Sequence, residues 1–256
     1  MMALSPRASL DADGRPLAHR PAIATRRVRA DLILLTDSTV KTYFPDFSHW
    51  SGEIDWSTAA RYFMASIFKA SESDWFVDNQ FAANKAGSIA RGRGWGAYHF
   101  YRDNVDPVAQ AAHFVNTVGD GCNLYVLDVE ISHNHDSAKV LACLNEIQRL
   151  TGKTPVIYSS KYYWAFLRPV PTWIGNYGFW TAHYGTLTPL APTGAHIEAH
   201  QYGVLGSIPG VPELGCDENF FYGSAGEMWE WFMGDATPPP EEYHVYLPVG
   251  SREGQR

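Results

Sequence analysis

Tyr125-Val126-Leu127-Asp128-Val129-Glu130 is an apolar run that ends in two carboxylates at alternate positions. Side chains in a β-strand point the same way every second residue, so Asp128 and Glu130 share a face with Val126. An apolar strand between turn signals suits a parallel sheet buried on both sides, and in closed barrels of such strands the active site lies at the C-terminal strand ends, where these two acids fall. Two acids crowded into one place repel when both are ionised. One then tends to hold its proton near neutral pH while the other stays charged, and that division is what glycoside cleavage uses. Taken alone, the pair fits a helix cap or a surface cation site equally well.

Outward from this stretch, short apolar segments bounded by Gly, Pro, Asn or Asp alternate with helical patterns. Strands are expected near Thr42–Ser48, Met64–Ala70, Gly94–Tyr101, Asn123–Glu130, Pro155–Ser159, Phe179–Tyr184, Ile197–Tyr202 and Cys216–Phe221. Eight strands predict the α/β class and a single (β/α) barrel. A helix after Asp106 starts at Pro107 and carries Val108, Ala111, Ala112, Val115 and Val118 on one face; another, between Asp136 and Gly152, carries Val140, Leu141, Leu144, Ile147 and Leu150. The stretches Pro169–Gly178 and Gly185–Gly194 read as loops, so the barrel is irregular and lacks some outer helices. A last aromatic helix is expected near Glu227–Phe232.

Residues 1–37 are rich in Arg, Ala and Pro without sustained periodicity, which predicts an extended basic arm; 38–234 form the catalytic barrel, and 235–256 a short polar tail. A hydrophobic fraction of 45% with 18% charged residues predicts a folded domain with a sizeable core. The net charge of −7 argues against nucleic acid as the main partner, because phosphate binding needs clustered Lys and Arg. No membrane span or export signal is visible. Cys122, Cys143 and Cys216 have no CxxC spacing and read as buried thiols.

Acids at other strand ends give the pair its context. Asp46 follows the first strand in Tyr43-Phe44-Pro45-Asp46-Phe47-Ser48-His49-Trp50, and Asp217 opens the last in Cys216-Asp217-Glu218-Asn219-Phe220-Phe221. First and last strands are neighbours in a closed barrel, so four carboxylates point at one mouth. Separately, Asp46 also fits a turn and Asp217 a helix cap.

With these acids in place the chain resembles the glycoside hydrolase family 25 lysozymes, the Chalaropsis-type muramidases common among phage endolysins. The resemblance covers Tyr43 to Tyr222. It rests on the ordered set Asp46-Phe-Ser-His-Trp50, Ile54-Asp55-Trp56, Phe68-Lys69-Ala70-Ser71-Glu72, Gly96-Ala97-Tyr98-His99-Phe100, Asp128-Val129-Glu130, Pro155-Val-Ile-Tyr158-Ser159, Trp180-Thr-Ala-His-Tyr184, Gln201-Tyr202 and Asp217. It implies cleavage of the β-1,4 bond between N-acetylmuramic acid and N-acetylglucosamine, with retention and without metal or other cofactor. On matching positions Glu130 resembles the general acid and base, Asp128 the partner that stabilises charge, and Asp46 and Asp217 supporting members. Whether a carboxylate or the substrate's own acetamido oxygen attacks stays open. Lys69, Tyr98, Tyr158, Trp180, Tyr184 and Gln201 match positions that line the sugar groove; sugar rings stack on aromatics and their hydroxyls need paired polar groups. His183 and His200 depart from the family pattern, which puts the far wall of the groove in doubt.

The resemblance implies bacterial peptidoglycan as partner, with action at the cell wall after delivery through a phage pore or in a virion. Three alternatives remain at this level. One is a tail or baseplate lysozyme subunit whose basic arm meets phage tail proteins. Another is a non-catalytic glycan-binding barrel. The third is a metal hydrolase using Asp128 and Glu130 with His133 and His135, the least favoured because such a loop is ordinarily solvated.

Overall fold

A computed structural model describes residues 40–130, 136–160, 171–212 and 215–238, with side chains at 204–206 left out. The expected basic arm, His133 and His135, and most of the polar tail lie outside the described residues.

Nine strands form one sheet: β1 (Thr42–Phe47), β2 (Ala65–Glu72), β3 (Phe76–Val77), β4 (Gly94–Phe100), β5 (Tyr125–Asp128), β6 (Val156–Ser160), β7 (Gly178–Ala182), β8 (His196–Gly206) and β9 (Cys216–Phe221). Their order is β1-β9-β8-β7-β6-β5-β4-β2-β3, and a further β1–β2 pairing closes eight of them into a barrel. The short β3 folds back on β2 as a hairpin. All eight expected strands are present. One runs in reverse: β9 is antiparallel to both β1 and β8, whereas the other neighbouring pairs in the ring are parallel.

Strand alternation sorts the side chains into two cores. Phe44, Ile67, Val126, Val156, Trp180 and Ala199 fill the barrel interior together with Met228, Trp229 and Phe232. The last three belong to α5 (Ala225–Met233), which plugs the barrel floor. Gly94 makes room for it, since a Cβ there would stand 3.4 Å from Phe232 Cβ and 3.0 Å from Ala65 Cβ. Asn123 Nδ2 donates to Met233 O and fastens the plug.

The outer core lies between strands and helices: Phe68, Ala97, Leu127 and Ile157 pack with residues of α3 (Pro107–Val118) and α4 (Ser137–Thr151). The helix starts and stops have the expected causes. Asp106 and Asp136 accept from Ala109 N and Ala138 N, and Gly152 ends α4 at φ 69°, in the left-handed region that favours glycine. Their buried faces differ from the expected ones. In α3 the face is Gln110, Ala111, Phe114 and Val118, with Val108 exposed; in α4 Cys143 joins Val140, Leu144 and Ile147, and Leu150 is exposed. Two helices precede these: the single turn α1 (Trp56–Ala59), and α2 (Phe81–Ala90), which escapes periodicity because its buried side includes Asn84 and Ser88.

No described helix covers β8 and β9. Instead the segment after β7 drapes back over them. His183 O accepts from His200 Nε2, Leu187 O from Lys41 Nζ, and His183 Nδ1 from Leu190 N. His200 is fully buried there, so both histidines hold this outer segment in place instead of shaping the far wall of a groove.

Candidate active site

Asp46, Lys69, Tyr98 and Asp128 continue, two residues at a time, the interior rows that contain Phe44, Ile67, Gly96 and Val126. They therefore turn inward above the apolar barrel core. Glu130 lies two residues beyond Asp128, just past the end of β5. Asp217 is at the start of its strand, which in a parallel strand would put it at the floor. Because β9 is reversed, Asp217 pairs instead with Asp46 near the end of β1. The four sequence-predicted acids thus meet at the mouth.

A hydrogen-bonded scaffold holds two of them. Asp46 Oδ2 accepts from Asn219 Nδ2 at 2.8 Å and from Gln201 Nε2 at 3.1 Å. The same Gln201 nitrogen donates to Asp217 Oδ2 at 3.3 Å, while Gln201 Oε1 accepts from the hydroxyls of Tyr158 and Tyr184, each at 2.7 Å. Asn219 Oδ1 accepts from Trp180 Nε1 at 2.9 Å. Trp180 is enclosed by Phe44 and Tyr158, with ring centroids 5.8 and 4.6 Å away, so it braces the scaffold from below. Asn219 is the residue that sequence reasoning missed. It is fully buried, and alternation from Asp217 was the signal that placed it on the inner face.

Lys69 stands on the other side. Its ammonium bonds Glu72 Oε2 at 2.7 Å and lies 5.4 and 5.0 Å from the ring centres of Phe76 and Phe100. Arg102 also bonds Glu72. Burial pushes the Glu72 carboxyl up, but its hydrogen bonds to Lys69 and Arg102 prevail and hold it below the ordinary range.

Electrostatics separate the acids. Burial pushes Asp46 up to about 6 against the two amide hydrogen bonds that favour its charge. Glu130 rises to about 7, chiefly through burial and further through the charge of Asp46, with Lys69 opposing. Burial, then the charge of Glu130, carries Asp128 well above the carboxylate range; burial, then Asp46 and Glu130, does the same for Asp217. These mutual influences tie all four groups to one pocket. Asp128 Oδ1 is buried and has no hydrogen-bond partner among the described residues. The arrangement can keep a proton on Glu130 near neutral pH beside an Asp46 that is already ionised, as acid-assisted cleavage of an acetal requires. No group of three metal-binding side chains occurs among the described residues.

Comparison with known proteins agrees with this geometry. A profile described as "Glycosyl hydrolases family 25" matches residues 45–211. The chain is similar to "Lysozyme M1" of Streptomyces globisporus, 32% identical over 206 residues that span 72% of this chain and 68% of that protein. Among solved structures it is similar to a bacterial lysozyme from Streptomyces coelicolor, with a TM-score of 0.70, 28% identity, and coverage of 77% of this chain and 100% of that one. It also resembles the CTP1L endolysin, with a TM-score of 0.64, 25% identity, and coverage of 76% and 70%.

Proposed function

This chain belongs to the glycosyl hydrolases family 25, and from that premise we propose that its barrel mouth cuts the β-1,4 bond between N-acetylmuramic acid and N-acetylglucosamine of bacterial peptidoglycan, with retention at the anomeric carbon. The protein is a glycoside hydrolase of the lysozyme kind. The observation that carries the assignment of roles is the contrast between Glu130, protonated up to about pH 7, and Asp46, held by two amide donors.

In this reading Glu130 gives its proton to the departing glycosidic oxygen and later takes one from water. Asp128 faces the reacting sugar, where its unpartnered Oδ1 is suited to accept from the substrate's acetamido N–H. That contact orients the acetamido oxygen for attack on the anomeric carbon. Asp46 supplies negative potential against the oxocarbenium charge, Asp217 supports it through the Gln201 amide that both share, and Gln201, Asn219 and Trp180 keep the pair in position. Tyr98, Tyr158, Tyr184 and Lys69 line the sugar groove. Residues 38–234 are the catalytic unit, and delivery by a phage, free or in a virion, is the route that the likeness to an endolysin supports.

Digestion of purified peptidoglycan with mass analysis of the released ends tests the reading. Reducing muramic acid ends are expected from the wild type and none from Glu130→Gln. Reducing glucosamine ends, or undiminished cleavage by Glu130→Gln, would overturn it.

A further inference from the structure

Among the described residues the aromatic side chains classed as exposed are Trp50, Trp75 and Tyr184, and each follows the C-terminal end of a barrel strand: β1, β2 and β7. Trp50 is 73% exposed and Trp75 74%. A single exposed ring needs no explanation, but Trp50 and Trp75 follow the paired strands β1 and β2, and grouped exposed apolar surface of this kind marks binding sites.

The two tryptophans belong to one braced structure. Trp75 sits at the tip of the β2–β3 hairpin, between the paired residues Glu72 and Phe76. Ser73 in that tip has φ 57°, the one non-glycine positive value recorded among the described residues. A non-glycine residue held in this region costs energy that a plain turn would avoid, and such positions cluster at functional sites. His49 links the hairpin to β1: its Nδ1 is 2.6 Å from Asp78 Oδ2, and its ring lies 4.7 Å from that of Trp50 and 5.9 Å from that of Phe76. Phe76 in turn touches Trp75 and the ammonium of Lys69. Contacts therefore run from Lys69, whose charge acts on Asp128 and Glu130, through Phe76 to Trp75 and through Phe76 and His49 to Trp50.

Position around the ring adds a direction. In the closed order β2 and β7 stand four strands apart, on opposite sides of an eight-stranded mouth. A linear polymer crossing the acids along this line meets Tyr184 on one side and the tryptophan ledge on the other.

We propose that Trp50 and Trp75 form a distal saccharide-binding ledge on which a pyranose ring of the glycan strand stacks, beyond the units at the cleaved bond, so that the enzyme favours long strands over short fragments. This rests on the glycan-cleaving reading above. A rigid, pre-formed aromatic surface holds sugar at small entropic cost, and binding remote from the reacting bond, equal in ground and transition state, lowers KM without changing kcat.

The test compares soluble uncrosslinked glycan strands with the shortest glycan fragment that the wild type cuts. In the Trp50→Ala/Trp75→Ala protein the ratio of kcat/KM on strands to that on the fragment is expected to fall about tenfold, through KM on the strands, the equivalent of about 1.4 kcal/mol. Ile89→Ala, an exposed apolar change on α2, serves as the control and leaves the ratio as it was. An unchanged ratio in the double variant overturns the ledge, whether both rates stay constant or fall together, and leaves a protein partner as the occupant to seek. Failure of the wild type to cut either substrate would instead sink the glycan-cleaving reading itself.

Discussion

Glu130→Gln should stabilise the fold above neutral pH while abolishing its activity, and the effect on stability should depend on pH. In the folded chain Glu130 keeps its proton up to about pH 7 against an ordinary value of 4.5, mainly because of burial. Between those values the folded state binds more protons than the unfolded one, so stability is fully present below about 4.5 and is lost as pH rises through 7. At about 1.4 kcal/mol per decade, ionised Glu130 costs the fold up to about 3 kcal/mol at pH 8. Glutamine avoids that cost and relieves Asp128 and Asp217, which both feel the Glu130 charge. Its buried amide, short of partners, returns about 1 kcal/mol. The expected net effect is a gain of about 2 kcal/mol at pH 8 and a loss of about 1 kcal/mol at pH 4, read from urea unfolding followed by tryptophan fluorescence. Peptidoglycan turnover by the same preparation should fall by about a thousandfold. A gain of the same size at both pH values, or none at pH 8, would refute the assignment of Glu130 as a buried acid that is ionised at a cost.

For the wild type, kcat/KM on a soluble glycan fragment should trace a narrow bell, with limbs that belong to the coupled acids and lie near 6 and 7, where Asp46 and Glu130 titrate; a flat profile from pH 5 to 8 would contradict this. Gln201→Leu strips the acceptor from Tyr158, whose hydroxyl is buried, and should cost about 2–3 kcal/mol by chemical denaturation. It should also move the acid limb upward, since Asp46 loses one of two donors that favour its charge. Gly87→Ala should destabilise by about 1–3 kcal/mol although alanine favours helix, because the added methyl would overlap the Trp56 indole, itself wedged edge-on against Phe47, Phe63 and Phe68. Its activity per folded molecule should stay at the wild-type level.

The barrel was legible because apolar strands between turn residues recur eight times, and the acids were legible because alternation fixes which face each one shares. Strand direction was not. Cys216–Phe221 has the same inward and outward pattern whichever way it runs, so nothing local announces that β9 is reversed. The helix faces slipped because Gln110 is fully buried by bonding the backbone around Arg102 and Val105, a compensation that periodicity of apolar residues does not register. Asn219 was passed over for a related reason. A single asparagine in a strand reads as a turn residue until its partners, Asp46 and Trp180, are seen to come from 173 and 39 positions away.

The reversal of β9 also decides how this enzyme can be held. Because its last strand runs downward, the chain enters the barrel at Thr42 and leaves through α5 on the same rear side, where Thr42 Oγ1 bonds Gly223 O at 2.7 Å. Cargo attached ahead of residue 42 or behind the plug starts from the side opposite the acids. A tether joined directly at residue 42 or at the end of α5 therefore starts on the face away from the acids, and a surface-immobilised protein anchored at those points should present its cutting edge outward.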